Sequence, residues 1–466
     1  MRLIVGQKQM NLPKLIALTG FTILAVSGNA LCAIATTQPA NKTFGDWCRE
    51  KAALSPGAKH TVEVLLKEAG TTDCDAANQE LSSLTQLELR YNQISDIKPL
   101  ESLTNVTKLY LDNNQISDIK PLQSLTHLMD LGLGDNKITD IKPLQSLTNL
   151  AKLLLDTNQI SDIKPLESLT NLTHLSLDDT KISDIKPLLF LTNLSALSLD
   201  NNQIRDIKLL PFLTNLTNLS LENNQIIDIK PLASLTSLSL LFLDNHQITD
   251  LKPLASLTNL KGLSLNDNQI SDIKPLESLT NLTEILLNNN KISDIKPLES
   301  LTNLTWLWFR DNKISDIKPL ESLLNLTVLN LNNNQIKDIK PLASLTKLTN
   351  LFLGDNEISD IQWLASLTNV EILNLDNNII SDIKPLQSLT KMDYLDLENN
   401  KITDIKSLQF LTKLTKLFLS NNQISDIKPL QSLIELRALS LHANPIHPKT
   451  CPLEPESICK WEPQPK

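Results

Sequence analysis

From residue 109 onward apolar side chains stand at Leu109, Leu111, Ile116, Ile119, Leu122 and Leu125, and the same order returns 22 residues later and keeps returning. An asparagine marks the register. Stepping by 22 from Asn92 meets Asn114, Asn136 and Asn158 and ends at Asn444, with Thr180 and His246 the two positions on the path that are not asparagine. Sixteen such steps make seventeen units without an insertion or deletion. A fixed short period of this kind describes a stack in which each unit buries its apolar face only against its neighbours.

The spelling of one unit predicts its path. Leu109-Tyr110-Leu111 alternates apolar and variable residues, as a short half-buried strand does. Strands of successive units then lie side by side as a parallel sheet. At Asn114 the chain leaves the strand, and an amide that both donates and accepts can serve its own turn and the adjoining coil. Ile116 and Ile119 point inward, with Asp118 between them suited to an Asx-type turn. Pro121 lacks an N–H and has a preset φ, so it can open a tight turn on the far side, where 22 residues leave room for a 3₁₀ turn rather than a full helix. Leu122 and Leu125 plug that turn into the core.

The phrase "NQISDIKPLESLTNL" and its in-register copies from about residue 84 to 444 resemble the 22-residue leucine-rich repeat of the bacterial internalin family. The resemblance implies a leucine-rich repeat α/β solenoid with a curved parallel sheet on its concave side and short 3₁₀ or turn segments on its convex side. It also implies a binding scaffold, with the partner left open. Composition agrees: 41% hydrophobic but 4% aromatic residues mean an aliphatic core, and ten glycines leave no room for a flexible linker, so one folded unit is expected.

The ends differ from the array. Arg2, Lys8 and Lys14 precede the apolar run 15–26, and Ala33-Ile34-Ala35 offers small residues for a signal peptidase, so residues 1–35 read as a signal peptide. A lipoprotein using Cys32 and an uncleaved anchor are the alternatives, against which stand the bulk of Leu31 and the shortness of the run. Cleavage takes the net charge from −9 to −9 − 3 = −12, and no basic stripe with interleaved aromatics is present, which argues against nucleic acid. Four cysteines then remain. The ends of the stack are too far apart for a bridge, so Cys48–Cys74 and Cys451–Cys459 are the expected disulfides, and both belong to an oxidising compartment. Residues 36–83 read as a helical N-terminal cap. Its helical stretches "FGDWCREKAAL" and "AKHTVEVLLKEAG" carry Val62, Leu65, Leu66 and Ala69 on one face and stop at Gly70. Residues 84–444 are the array, and 445–466 a C-terminal cap. A zinc site at His442, His447, Cys451 and Cys459 is the other reading of that tail, but the spacing fits no familiar finger.

Function has to lie where the architecture leaves residues free, on the strand positions that flank the core leucines and project from the concave sheet. In the later coils these are Leu286, Trp306, Trp308, Val328, Phe352, Ile372, Tyr394 and Phe418, an aromatic strip expected to face solvent and to bind a protein or glycan. In the earlier coils Asp112, Asp156, Asp178, Asp200, Glu222 and Asp244 stack as carboxylates, to be read either as solvated turn-entry residues or as an acidic patch. The lysine row at Lys98, Lys120 and their successors reads as compensating the aspartates two residues before. No G-x-S-x-G, H-E-x-x-H, glycine-rich phosphate loop or C-x-x-C occurs, so neither an enzyme nor a cofactor is expected. The leading expectation is an exported, monomeric recognition scaffold, secreted or at the periplasm or cell surface, with no membrane span in the mature chain. The alternative is a structural envelope component that associates with itself.

Overall fold

The computed structural model describes residues 42–462; the segment 1–35 read as a signal peptide, with Cys32, lies outside them. By contact the described residues divide into two compact units, 42–204 and 205–462. The division falls at the coil whose Pro is displaced by two residues, from 209 to Pro211. There the usual five-residue 3₁₀ turn shrinks to Leu210–Phe212.

The first unit opens with three helices, α1 (Phe44–Arg49), α2 (Pro56–Glu68) and α3 (Cys74–Ser83). Two of these were legible from hydrophobic spacing, and α3 was not. Its composition is mostly polar, and what starts it is Asp73, whose carboxylate accepts from the Asp75 and Ala76 amides at 3.1 and 2.8 Å. Val62, Leu65 and Leu66 of α2 are buried, Ala69 is half-buried, and Gly70 ends the helix at φ +66°. The cap docks on the first coil, where Thr61 Oγ1 donates to Asp96 O at 2.7 Å. The Cys48–Cys74 disulfide ties α1 to α3.

Six three-residue strands follow, β1 (Gln86–Glu88) to β6 (Ala196–Ser198), each parallel to the next at a shift of one repeat, as in Leu87↔Leu109. The second unit holds β7 (Asn218–Ser220) to β17 (Ala438–Ser440) in the same register and ends on β18 (Cys459–Lys460), which pairs with Leu439 and Ser440. This last strand covers what would be an open edge, held by the Cys451–Cys459 disulfide. Opposite the strands run 3₁₀ turns such as Lys120–Ser124, with proline as the second residue. Asp118 Oδ1 accepts from the Lys120 amide at 2.9 Å, which is the Asx-type turn the spelling predicts.

Ile116, Ile119, Leu122, Leu125, Leu128, Leu131 and Leu133 are all buried, and the pattern holds coil after coil. Where the chain leaves the strand, residues such as Asn113 and Asp135 take positive φ (58° and 51°), a region short polar side chains tolerate. The next residue is the ladder amide. Asn290 Nδ2 donates to Leu287 O (3.2 Å) in its own coil and to Leu265 O (3.0 Å) in the preceding one, and its Oδ1 accepts from Ile270 N (3.0 Å). The connection thus runs back to the coil before.

His246 breaks this pattern. Its Nδ1 faces Asn224 O at 3.2 Å and its Nε2 faces Leu221 O at 2.9 Å, so a neutral ring, with one N–H, satisfies one contact only, and it offers Ile226 no amide oxygen. Burial holds its pKa below the ordinary 6.5. A depressed histidine contributes stability above the unfolded-state pKa that is lost as pH falls. His246→Asn should therefore raise stability by about 1 kcal/mol at neutral pH. The gain over the parent should widen below about pH 6.5 in paired chemical melts, and a gain that shrinks there would contradict the assignment.

Candidate functional site

The second unit presents two columns of side chains on its sheet face, set by the register. One runs Glu284, Trp306, Val328, Asn350, Ile372, Tyr394, Lys416; the other runs Leu286, Trp308, Asn330, Phe352, Asn374, Asp396, Phe418. All eight residues singled out in the sequence stand in these columns. Leu307 and Phe309 alternate with the tryptophans and are fully buried, so Trp306 and Trp308 do project from the sheet face.

The strip is less open than expected. Leu286, Trp306, Trp308 and Ile372 are half-buried, but Val328, Phe352, Tyr394 and Phe418 are only 7–9% exposed. Neighbouring strands in a sheet lie about 4.8 Å apart, so bulky side chains in adjoining coils cover one another. Tyr394 and Phe418 do so with ring centroids 5.4 Å apart, in a tilted pair. The open part of the strip is therefore its tryptophan end.

Four polar atoms on this face are buried without a hydrogen-bond partner: Glu284 Oε2, Trp308 Nε1, Asn374 Oδ1 and His442 Nδ1. Buried polar atoms are ordinarily paired, so each unmet one raises the question of what meets it. Two of them flank the tryptophans. Burial also raises the pKa of Glu284 above its usual range.

The sequence did not disclose a second feature, a carboxylate group at Asp376, Asp396 and Glu398. Asp396 and Glu398 leave one strand on the same face, and Asp376 holds the position equivalent to Glu398 in the preceding coil. Asp396 Oδ1 accepts from the Glu398 amide at 3.1 Å, and Tyr394 Oη donates to Asp396 Oδ2 at 3.4 Å. Burial pushes the Asp376 pKa up to about 6 and, with Asp376 beside it, raises that of Asp396 as well. The signal available was the coil "YLDLE", where both free positions are acidic.

The acidic run of the earlier coils has a different explanation. Asp112 Oδ1 accepts from Gly134 N (3.1 Å), Asp156 from Asp178 N (3.0 Å), Asp178 from Asp200 N (2.8 Å) and Asp244 from Asn266 N (2.8 Å). These carboxylates form a second ladder that satisfies backbone amides of the following coil, and asparagine takes over the role at Asn266, Asn288 and Asn332. The turn-entry reading is the one the geometry supports. On the rim, lysines stand 3.3–3.9 Å from their aspartates at Lys98, Lys186, Lys208 and Lys406, exposed pairs of little energetic weight. Among the described residues no group of three or more His, Cys, Asp or Glu is placed to hold a metal ion, and no helix is long and apolar enough to cross a membrane.

The model of tandem leucine-rich repeats matches nine successive segments, from residues 82–124 to 412–453. The chain belongs to the leucine-rich repeat family, whose fold is in general a non-catalytic interaction scaffold. Within it, the repeats are of the internalin type: an internalin of Listeria monocytogenes, InlF, is 38% identical over 73% of this chain and 95% of its own, with a TM-score of 0.59. A leucine-rich repeat protein of Leptospira interrogans is 28% identical over 82% of this chain and 97% of its own, at TM-score 0.65. The ectodomain of the Arabidopsis thaliana receptor kinase GASSHO1/SCHENGEN3 shares the fold at 24% identity and TM-score 0.65, over 79% of this chain and 48% of its own. No curated protein matches the chain.

The raised pKa of Asp376 yields a pH prediction. A carboxyl whose folded-state pKa lies above its unfolded value contributes stability that is full below about pH 4 and lost as pH rises through about 6. Asp376→Asn removes that loss. The variant should match the parent near pH 4 and exceed it near pH 7.5 by up to roughly 3 kcal/mol, two pKa units at 1.36 kcal/mol each. Denaturant titrations at the two pH values check it; equal stabilities at the higher one would contradict the burial assignment.

Proposed function

We propose that this protein is an exported recognition scaffold that binds a protein partner on the sheet face of residues 205–462, with Trp306 and Trp308 as its anchors. The observation that carries the reading is the strand Trp306–Trp308. Both indoles stand half-exposed around the buried Leu307, and the Trp308 N–H and the neighbouring Glu284 Oε2 lack any partner. Large apolar surface joined to unmet polar groups is what an interface anchor supplies, because a partner can bury the rings and complete the hydrogen bonds together. Leu286, Val328, Phe352, Ile372, Tyr394 and Phe418 back these two, most of them as a packed floor. The unmet polar groups favour a protein over a glycan less sharply than the ring exposure favours an anchor, and sugar binding is an outcome of the same test. The internalin-type repeat supports a surface-interaction role, and the apolar run at 15–26 with two disulfides supports export.

The test is capture from the native secretome, with and without prior deglycosylation. Trp306→Ala with Trp308→Ala should lower capture by about 1000-fold, two anchors at roughly 2 kcal/mol each with tenfold per 1.4 kcal/mol. The circular dichroism spectrum should remain that of the parent. Undiminished capture by the double variant would refute the patch.

A further inference from the structure

We infer that the partner delivers a carboxylate side chain to the turn-entry border of the tryptophan strand, where Arg310 and the side-chain amides of Asn288, Asn330 and Asn332 receive it beside Trp308. The inference rests on the proposed binding role of the sheet face and adds the chemistry of what is bound there.

In the second ladder one side-chain oxygen meets a backbone amide of the following coil, and what the rest of that side chain can do depends on whether it is a carboxylate or an amide. At Asp244 the second oxygen is another acceptor, taken by Asn266 Nδ2 at 2.9 Å. At Asn288 and Asn332 the second atom is a donor. Asn288 Oδ1 accepts from Arg310 N at 2.9 Å and Asn332 Oδ1 from Gly354 N at 2.7 Å, so the backbone fixes which end of each amide is engaged and leaves Nδ2 over. Arg310 interrupts this ladder, because a guanidinium accepts nothing. The Asn332 amide turns instead to Asn330 Oδ1 at 3.0 Å, which engages that oxygen as well.

The acceptors of these asparagines are thus occupied and their donors are not. Asn288 Nδ2, Asn330 Nδ2 and Asn332 Nδ2 have no hydrogen-bond partner among the described residues, although Asn330 is only 7% exposed, and Trp308 Nε1 is buried without one. Arg310 is exposed and meets Asp311 at Nε, 3.0 Å away; a guanidinium carries five N–H donors, so others are left for a ligand. Register brings the group together. Asn330 pairs with Trp308, and Asn288 and Asn332 hold the position of Arg310 in the coils before and after it. At sheet spacing these backbone positions fall within roughly 10 Å of one another.

Donors without acceptors fit a group that accepts and does not donate. An ionised carboxylate is such a group, and a guanidinium takes it in a planar, paired geometry. A sugar hydroxyl or a primary amide would bring hydrogens of its own, and the unmet Glu284 Oε2 belongs to the other column, beside Trp306. Asp311 and Asp355 stand near Arg310, so hydrogen bonds rather than net charge hold the anion. A phosphate would set up to two charges against those same acids.

The test uses the whole mature chain and a fluorescein-labelled decapeptide of alternating glycine and glutamate, with the glycine and glutamine counterpart as neutral control. The chain carries a net charge of −9, so unspecific attraction does not favour the acidic probe. N288D/N332D turns two donors into acceptors yet keeps the ladder, since Asp156 and Asp178 already make the same bond to the following coil. Q247E/Q335E adds equal charge at exposed positions outside the ladder. The parent should bind the glutamate probe at least about tenfold tighter than the glutamine one, hydrogen bonds to a charged group being the strong ones. N288D/N332D should lose about tenfold or more, as should R310Q, which leaves both amides in place, while Q247E/Q335E stays within about twofold. Equal weakening in the two acidic variants, equal binding of the two probes, or a parent that binds neither overturns the inference. So does trigalacturonate binding tenfold tighter than the peptide, which would put the carboxylate on a glycan. If W306A/W308A loses secretome capture while N288D/N332D and R310Q retain it, the anchor reading stands and this one falls. Thermal melts of each variant verify that it is folded.

Discussion

Everything in this molecule depends on hydrogen bonds made between coils rather than within them. A 22-residue circuit has three strand residues and one 3₁₀ turn, so its backbone groups are met mainly by the neighbours 22 residues away. The strand amides do so in both directions, as Leu111 N to Gly132 O at 2.8 Å and Asp130 N to Thr107 O at 3.1 Å, and the asparagine side chains add a bond to the coil before, as Asn136 Nδ2 to Leu111 O at 3.1 Å. Leucine and isoleucine burial drives the stacking, but the corner where the chain leaves the strand would be left with unmet groups unless an amide sat there. That is why substitutions on the asparagine path are so few. Thr180 keeps part of the connection: its single O–H has Leu177 O at 3.0 Å and Asn202 Oδ1 at 2.7 Å as alternative acceptors. The same dependence makes caps obligatory, since an end coil lacks one neighbour.

Variation along such a stack is not itself a sign of function. The carboxylates of the earlier coils vary against a background of asparagine, yet Asp156 and Asn266 do the same work on the next coil's backbone. What separates a structural position from a free one is whether its polar atoms are spent. On the sheet face of the second unit several are not, and two of them, Trp308 Nε1 and Glu284 Oε2, lie on the tryptophan strand and on the strand paired with it.

Much of this was legible in the residues. Period, inward positions, the parallel sheet, the 3₁₀ turns opening at proline and both cysteine pairs follow from spacing alone, because each is fixed by local geometry that every coil repeats. Phe309 could be assigned to the interior from phase. Exposure could not be read in the same way: Phe352, Tyr394 and Phe418 have the phase of surface residues, but their shielding comes from neighbours 22 residues off whose rotamers no pattern specifies. Helix α3 escaped because a capping aspartate, not an apolar stripe, starts it. The buried carboxylate at Asp376 escaped because it lies in the space left at Gly354, a residue that matters by having no side chain.

A cluster of desolvated carboxylates costs stability, and the stack is well suited to carry that cost. Each coil is held by the neighbours on both sides and by the ladder amides, so a local penalty at one coil is spread over the frame of its neighbours. The cost shows as a dependence of stability on pH at Asp376 and not as a break in the stack, because the ladder amides Asn378 and Asn400 keep their bonds to Leu353 O and Leu375 O of the preceding coils.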